Sequence, residues 1–451
     1  MNDYPILLLL YSNKKYYYYD CVKNDIFKLS KELYIELSVL KEIGYNKYVS
    51  SRKDSRFYND IMQLINSRVV SFPIVNQVTH MNKNNISLLI SRCMSQLQFQ
   101  VTQDCNFNCR YCTFTRKSHI GRPHSSRGMS WDTAKKSLYY LLDHSLDSDE
   151  ITIYFYGGEP LINIELIKKI VIYANGLFWN KRIVYVITTN GSLLDENIIS
   201  FFVKNDFHVI ISFDGSENIQ NKHRRYANNR PTYEIVQHKI KYIRYRYSRF
   251  YNDNVKFNAV ALPDENIEDV YNFFEKEFGK NKSSVNVINA DLRGIDYNIS
   301  EIAIRELPIR SFLYDDIDRE FSLFEQIFSD KRKLPCNWIY KANCVPGTLR
   351  LFVDINGDFY PCEKVPECDA ARIGNIREGI DLEKVEMLTD IRLSLNMPCS
   401  NCWAIRFCKL CICHFVDPVV GRITDDMVYL ACSQERKRIR ELVLRKIENE
   451  K

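Results

Sequence analysis

Cysteine is the residue type whose number and spacing point most directly to chemistry in this sequence. The 451-residue chain contains fifteen cysteines, and thirteen of them fall into two groups. The first group is Cys105, Cys109 and Cys112, and the second group extends from Cys336 to Cys432 with ten members. The sequence opens without a basic segment ahead of a long apolar run, so we expect no export and a reducing, cytoplasmic location. Clustered thiols in that location indicate bound metal rather than disulfides.

The first cysteine group has the spacing of a ligand set for an iron–sulfur cluster. Three thiolates within eight residues can wrap one face of a small inorganic cluster, and soft sulfur ligands suit iron. A [4Fe–4S] cluster takes four ligands, so one iron stays open for a substrate or cofactor, as the open position of a catalytic metal does. A structural zinc site is the alternative, but it usually needs a second cysteine pair nearby, which the sequence lacks.

The second cysteine group is large enough to hold two more clusters. Its members are Cys336, Cys344, Cys362, Cys368, Cys399, Cys402, Cys408, Cys411, Cys413 and Cys432. A zinc ribbon is the alternative for this region, since two C-x2-C pairs occur in it.

The segment that must position the first group reads as alternating strands and helices. Strands are predicted at 97–102, 151–155, 183–188, 209–213, 255–262 and 285–288. Helical patterns lie between them at 131–142, 165–174, 196–203, 233–247 and 267–274, and Ser130 is placed to cap the first of these helices. Six βα units in series predict an α/β fold, a partial (β/α)6 barrel with helices outside a parallel sheet. Sites in such folds lie at the carboxyl ends of the strands, where the first cysteine group begins.

The flanking regions read as separate units. Residues 1–90 predict a small α+β module with strands at 6–11 and 16–21, a hairpin turn at 12–15, helices at 30–42 and 57–65, and a loop at 48–56. The barrel is assigned to 91–300, linker helices to 301–335, and a cysteine-rich domain to 336–451. Short strands at 349–354 and 359–360 and a closing helix at 434–449 are expected in the last domain.

The barrel motifs resemble those of the radical S-adenosylmethionine (SAM) superfamily. The loop Cys105-x3-Cys109-x-Tyr111-Cys112 is similar to the signature in which the open iron binds the amino and carboxylate groups of SAM. Further similar motifs end the second, third and fourth strands, namely Gly157-Gly158-Glu159-Pro160, Thr188-Thr189-Asn190-Gly191 and Ser212-Phe213-Asp214-Gly215. The resemblance implies SAM contacts from Tyr111, Gly157, Gly158, Glu159, Asn190, Ser212, Asp214 and Arg225. Ser212 and Arg225 are expected to hold the SAM carboxylate, with Arg224 as the alternative to Arg225.

The second cysteine group resembles the SPASM domain of peptide- and sulfatase-modifying radical SAM enzymes, which carries two auxiliary [4Fe–4S] clusters. The resemblance implies one cluster on Cys336, Cys344, Cys362 and Cys411, and another on Cys399, Cys402, Cys408 and Cys432. Cys413 is the alternative to Cys411, because the family's spacing places a cysteine at position 412, which here is Ile412. Glu363 is the candidate catalytic base beside the first auxiliary cluster. Cys21 and Cys93 are expected to be core thiols, and the role of Cys368 is left open.

The chain as a whole resembles maturases of ribosomally made, cysteine-rich peptides. The resemblance implies a radical SAM oxidoreductase with three [4Fe–4S] clusters that cleaves SAM to a 5′-deoxyadenosyl radical, removes a hydrogen from a precursor peptide and forms thioether crosslinks. Residues 1–90 are expected to bind the leader of that peptide. The alternatives are a peptide epimerase, a sulfatase-type formylglycine maturase and, from another class, a non-catalytic iron–sulfur electron carrier.

The remaining partner expectations follow from the chemistry and the composition. A radical SAM enzyme needs a one-electron reductant such as flavodoxin or ferredoxin. The chain has 62 Lys and Arg against 56 Asp and Glu, a formal charge of +6, which requires no nucleic-acid partner. No run of about 18 apolar residues occurs, so no membrane span is expected.

Overall fold

The computed structural model describes residues 3–112, 124–262, 265–289, 317–340, 344–417 and 420–450. The predicted linker region 301–335 is therefore described only from residue 317 onward. No helix in these ranges is both long enough and apolar enough to cross a membrane.

The N-terminal segment begins with a three-stranded antiparallel sheet followed by helices. The strands are β1 (Leu7–Ser12), β2 (Lys15–Asp20) and β3 (Asp25–Leu29), and the helices are α1 (Lys31–Ile43), α2 (Tyr45–Ser51) and α3 (Tyr58–Asn66). The predicted turn between the first two strands is present. Its two central residues, Asn13 and Lys14, have φ of 51° and 59°, the left-handed conformation that a tight two-residue hairpin requires.

The predicted loop at 48–56 is wrong in its first part, because helix α2 occupies 45–51. Tyr48 is fully buried and its hydroxyl donates a hydrogen bond of 2.9 Å to the Glu36 carboxylate on α1. The polar residues around Tyr48 face solvent, so this one buried aromatic side chain anchors the short helix. Because the segment has no apolar periodicity, its sequence pattern does not predict a helix.

The barrel strands were predicted correctly. They are β5 (Gln96–Thr102), β6 (Glu150–Gly157), β7 (Arg182–Thr189), β8 (His208–Ser212), β9 (Val255–Ala261) and β10 (Val285–Asn289), and each pairs in parallel with the next. Strand β4 (Gln77–His80) and helix α4 (Ile86–Arg92) precede them. Helices α5 (Trp131–His144), α6 (Ile164–Leu177), α7 (Glu196–Lys204), α8 (Glu217–His223), α9 (Tyr233–Arg246), α10 (Ser248–Asn254) and α11 (Ile267–Phe278) connect them. The predicted cap of α5 is confirmed, since the Ser130 hydroxyl accepts from the Thr133 amide.

The C-terminal region extends the barrel sheet, which the sequence did not indicate. Its elements are α12 (Ile317–Ser329), β11 (Asn337–Tyr340), β12 (Arg350–Val353), β13 (Asp358–Tyr360), β14 (Gly374–Asn375), β15 (Gly379–Ile380), α13 (Leu382–Thr389), α14 (Ile391–Ser394), α15 (Ile412–Phe415) and α16 (Asp425–Asn449). Strand β12 pairs in parallel with β5, and β13 to β15 follow, so that ten of the described strands form one sheet. Strand β11 pairs in parallel with β4.

The N-terminal sheet packs against the C-terminal region rather than standing alone. Leu8 and Leu10 of β1 share a buried apolar cluster with Ile439 and Val443 of α16. Arg406, inside the second cysteine group, fixes this junction with polar contacts. Its buried guanidinium donates to the carbonyl oxygens of Cys21 (2.5 Å), Val22 (3.0 Å) and Arg332 (2.6 Å).

Replacing Arg406 with Ala is expected to destabilise this junction. The buried carbonyl groups of Cys21 and Val22 and the part-buried one of Arg332 lose a charged donor, which should lower the free energy of unfolding by about 2–4 kcal/mol. Urea unfolding followed by tryptophan fluorescence measures the effect, since Trp338 and Trp403 pack against the same cluster. The control is Arg440→Ala, an exposed position on α16, which should change stability by at most about 0.5 kcal/mol. Equal stability of the two variants would contradict the role assigned to Arg406.

Candidate functional site

The first cysteine group lies in the loop that follows β5, as predicted. Cys105, Cys109 and Cys112 are close enough for their charges to interact with one another. Burial raises the pKa of Cys109 to about 12, and burial together with the neighbouring thiols raises that of Cys105 further. Cys109 is buried and Cys105 and Cys112 are half-buried, and thiols this close together need a cationic partner to become thiolates. The residues therefore fit an iron cluster, and all three are free thiols.

The glycines of the second motif hold the backbone of this loop. The amide of Gly158 donates to the Thr102 carbonyl at 3.0 Å, and that of Glu159 donates to the Asp104 carbonyl at 2.8 Å. A Cβ at position 157 would lie 2.2 Å from the Thr102 oxygen, and one at 158 would lie 2.2 Å from the Asp104 oxygen. Glycine is therefore required at both positions, because only a residue without a side chain allows the two backbones to approach so closely.

Glu159 connects three elements through a fully buried carboxylate. Its oxygens accept hydrogen bonds from the Thr189 hydroxyl (2.7 Å), the Asn190 amide (2.6 Å) and the Leu161 amide (3.1 Å). Burial raises its pKa, and these hydrogen bonds oppose that shift. The carboxylate thus holds the end of the third barrel strand, and the amide of the same residue holds the cluster loop at Asp104.

Tyr111 belongs to a second buried network behind the cluster loop. Its hydroxyl donates to Asp214 Oδ2 at 2.6 Å and accepts from Arg224 Nη1 at 2.7 Å. Asp214 Oδ1 in turn accepts from the Val260 amide at 3.0 Å on the fifth barrel strand. The positive charge of Arg224 acts against the rise in the pKa of Cys109 that burial causes, so this guanidinium favours the thiolate that an iron ligand must be.

The two arginines proposed for the SAM carboxylate have different surroundings. Arg224 is buried beside the cluster loop, and its Nε has no hydrogen-bond partner among the described residues. Arg225 lies at the surface, where its Nη1 donates to the Asn229 carbonyl at 3.0 Å. Ser212 ends β8 and is half-buried, and Asn190 donates from its side chain to Asn106 in the cluster loop at 2.8 Å. The sequence could not tell which of two adjacent arginines faces inward.

The second cysteine group gathers at two places. Burial raises the pKa of Cys344 and raises that of Cys362 to about 12, and the nearby thiol of Cys411 adds to both shifts. Cys336, which was assigned with them, is exposed, and its carbonyl accepts from the amides of Asn76 and Gln77. Burial raises the pKa of three of the other four assigned thiols, Cys399, Cys408 and Cys432, and the fourth, Cys402, interacts electrostatically with each of them.

A histidine that the sequence analysis did not identify lies beside Cys411. The Sγ atoms of Cys411 and Cys413 are 3.2 Å apart, and His414 Nδ1 is 3.6 Å and 3.5 Å from them. The three residues could hold a metal ion. The signal was present in the sequence, since His414 directly follows Cys413. Of the remaining thiols, Cys21 is buried as expected, whereas Cys93 and Cys368 are half-buried.

Glu363 lies between the second cysteine group and the barrel. It pairs with Arg350 of β12, whose Nη1 is 3.4 Å from the Glu363 carboxylate. Arg350 also interacts electrostatically with Cys362 and Cys344, and Tyr154 of β6 with Glu363. Strands β12 and β6 lie on either side of β5 in one sheet. Arg350 and Tyr154 therefore connect the second cysteine group to the barrel. Arg350 had no signal in the sequence, since its position depends on the long-range pairing of β12 with β5.

Comparison with known proteins agrees with this geometry. Residues 99–276 match the model of the radical SAM superfamily. The uncharacterized protein MJ0907 of Methanocaldococcus jannaschii is 41% identical over 139 residues, which are 31% of this chain and 45% of that protein. The cysteine-type anaerobic sulfatase-maturating enzyme of Clostridium novyi is 24% identical over 357 residues, which are 74% of this chain and 92% of that enzyme.

Solved structures agree on the fold. Native anSMEcpe with bound AdoMet has a TM-score of 0.56 at 20% identity, over 79% of this chain and 98% of that chain. The same protein with AdoMet and the Cp18Cys peptide has a TM-score of 0.52 at 20% identity, over 78% and 99%. With the cluster loop at the end of β5, the match over residues 99–276 shows that this chain contains a domain of the radical SAM superfamily, whose members bind SAM and a [4Fe–4S] cluster.

Proposed function

We propose that this enzyme is a peptide maturase that forms thioether crosslinks in a cysteine-rich precursor peptide. The observation that carries the proposal is the position of the second cysteine group, since Cys344 and Cys362 interact with Arg350, which belongs to the barrel sheet. A second set of iron ligands beside the barrel suits a reaction that must remove an electron from its product. Relatives and solved neighbours that act on sulfatases or bind a peptide support a peptide substrate.

The proposed cofactors are SAM and three [4Fe–4S] clusters, with the ligand sets that the SPASM resemblance implies. When bound, the first cluster supplies the electron that cleaves SAM to a hydrogen-abstracting radical, and the auxiliary clusters supply an electron acceptor. The protein's own part is to position the target carbon and to exclude water. The networks around Glu159 and Tyr111 hold the loop and strand ends that must do so.

Glu363 is proposed as the base that takes the proton of the substrate thiol. Forming a carbon–sulfur bond from C–H and S–H releases one hydrogen atom, one proton and one electron. Glu363 is half-buried, and Arg350 keeps a positive charge 3.4 Å from its carboxylate. This charge also stabilises a substrate thiolate that approaches Cys362.

The N-terminal sheet is proposed to bind the leader peptide along β3. Among the described strands β3 pairs only with β2, so its other edge is open to strand addition. The closing pair of a two-residue hairpin, here Ser12 and Lys15, is hydrogen-bonded, and the pattern alternates along the strands. Phe27 therefore directs its amide toward β2, whereas Ile26 and Lys28 direct theirs outward.

A formylglycine maturase is the second candidate, because the Clostridium novyi relative carries that activity in its name. The epimerase and the electron carrier remain alternatives without an observation that favours them. For either maturase we place the enzyme in the cytoplasm, where fifteen unpaired thiols stay reduced. We also propose a one-electron reductant of the flavodoxin or ferredoxin type as a partner.

Replacing Gly158 with Ala is expected to displace the cluster loop, since the new Cβ would meet the Asp104 carbonyl. After anaerobic reconstitution, the wild-type enzyme should hold about twelve irons per chain as three four-iron clusters, and the variant should lose up to four of them and its SAM cleavage. Gly176→Ala on helix α6 is the matched control, because nothing lies within 4 Å of its Cβ. The triple Ala variant of Cys105, Cys109 and Cys112 gives the lower limit of iron content and of SAM cleavage. SAM cleavage by that variant would refute the cluster assignment.

Replacing Lys28 with Pro is expected to weaken leader binding at least about tenfold. Proline removes an outward amide donor from the edge of β3 without breaking a ladder hydrogen bond to β2. Lys28→Ala keeps the amide and should bind like the wild type, which separates the backbone from the side chain. Fluorescence anisotropy of a labelled leader peptide measures the affinity, and equal affinity of both variants would exclude this edge.

Thioether formation itself is tested by incubating the enzyme with SAM, reductant and a cysteine-rich precursor peptide. The product should be lighter by two hydrogen atoms per link, and the linked cysteine should resist alkylation. Mass spectrometry and a thiol count read both effects. An unchanged mass with deuterium from solvent would identify an epimerase, and conversion of a cysteine to an aldehyde would identify a formylglycine maturase.

A further inference from the structure

A cationic surface covers the outer side of the cluster loop. Its side chains are Arg110, Lys222, Arg225 and Arg230, and we call it the cationic face. The first three line an open cavity of about 650 Å³ together with Asn108 and Tyr226. The Arg230 guanidinium lies 5.9 Å from the centre of the Tyr226 ring. Arg110, Lys222 and Arg230 are exposed, and Arg225 is half-buried.

The cationic face is attached to the cluster loop by backbone hydrogen bonds. The amide of Asn108 donates to the Arg225 carbonyl at 2.8 Å, and that of Arg110 donates to the His223 carbonyl at 2.9 Å. Phe107 pairs with Tyr226 as an antiparallel bridge. The surface therefore has a fixed position relative to Cys109, which lies between Asn108 and Arg110 in the loop.

Three of the four cations of this surface form no ion pair with a carboxylate among the described residues. Residues 105–112 and 220–231 contain five cations, four of them the cationic face and the fifth the buried Arg224, and no Asp or Glu. The nearest carboxylate is Glu265, which lies 3.7 Å from Lys222 and is itself nearly buried by its contact with His223. Within the described residues no carboxylate forms an ion pair with Arg110, Arg225 or Arg230. The whole chain carries only +6, so this local excess is not a general property of the surface.

We infer that the cationic face is the docking surface for an acidic one-electron carrier protein. The inference rests on the proposed function, because SAM cleavage consumes one electron, which an external donor must deliver to the first cluster. In that step the donor loses one electron and the cluster gains it, with no bond formed to the donor. Positive potential beside the cluster loop attracts an acidic protein and brings its redox group to the nearest ligand, Cys109.

The test uses reconstituted enzyme and compares two reductants. A flavodoxin hydroquinone is the acidic protein donor, and photoreduced 5-deazariboflavin is the small uncharged one. Loss of the cluster's visible absorbance in stopped flow measures reduction directly, without substrate or SAM. The double variant Arg110→Glu with Lys222→Glu reverses two charges of the cationic face. The control double variant, Lys136→Glu with Arg249→Glu, makes the same change at exposed positions of helices α5 and α10 outside the cationic face.

The double variant is expected to be reduced by flavodoxin roughly tenfold more slowly at low ionic strength. The difference should vanish near 1 M salt, where the Debye length falls to about 3 Å. Reduction by deazariboflavin should be unchanged, and the control variant should match the wild type. Equal rates with flavodoxin would overturn the inference, and so would a slower reaction with deazariboflavin, which would place the effect in the cluster.

A small anion is the competing occupant of the cavity. Saturable binding of inorganic phosphate that the double variant lacks, with an unchanged flavodoxin rate, would assign the cavity to that anion and overturn the docking role. Failure of the proposed function has a different signature. An enzyme that is reduced normally by flavodoxin, yet forms no 5′-deoxyadenosine from SAM, would refute the function and leave the docking surface standing.

Discussion

The close approach of two backbones, residues 102–104 and 157–159, is the constraint on which the rest of the site depends. The thiols of Cys105, Cys109 and Cys112 lie close together and do not ionise together without a cation, so the loop that carries them needs an external support before any cluster is present. The support comes from amides of the next strand's end, and it works only because Gly157 and Gly158 have no side chains. The chemistry of cysteine therefore imposes a requirement on two glycines fifty residues away in the sequence.

Support of the site by hydrogen bonds also explains the buried carboxyl groups around it, although the cofactor SAM is positively charged. Glu159 and Asp214 are both fully buried, and burial raises the pKa of each. Each is compensated by donors from a different strand end, so that the carboxylates join the ends of four barrel strands to one loop. Arg224 adds the single buried positive charge on the cluster side. Hydrogen bonds of this kind are costly to leave unmade, which fixes the geometry of the site before SAM arrives.

The sequence predicts local and periodic features well, and long-range ones poorly. The six barrel strands and their helices followed from apolar runs and helical periodicity, and the cluster loop followed from spacing alone. The pairing of β12 with β5 had no such signal, because nothing in the local sequence of two strands about 250 residues apart indicates that they are neighbours in the sheet. Helix α2 was missed since one buried tyrosine, and no periodic stripe, stabilises it. The orientation of Arg224 and Arg225 depends on the local backbone, which pattern reading does not resolve.

The pairing of β12 with β5 also joins the barrel to the region that contains the second cysteine group. Strand β5 carries the first cysteine group at its carboxyl end, whereas β12 carries Arg350 and leads through β13 to Cys362 and Glu363. The two sets of thiols are therefore held by neighbouring strands of one sheet and cannot move independently. The N-terminal sheet is fixed to the same region through Arg406, which lies between Cys402 and Cys408. A peptide bound along β3, as we propose, would thus be tethered to the segment that carries the second cysteine group, and the tether would raise its effective concentration at the barrel.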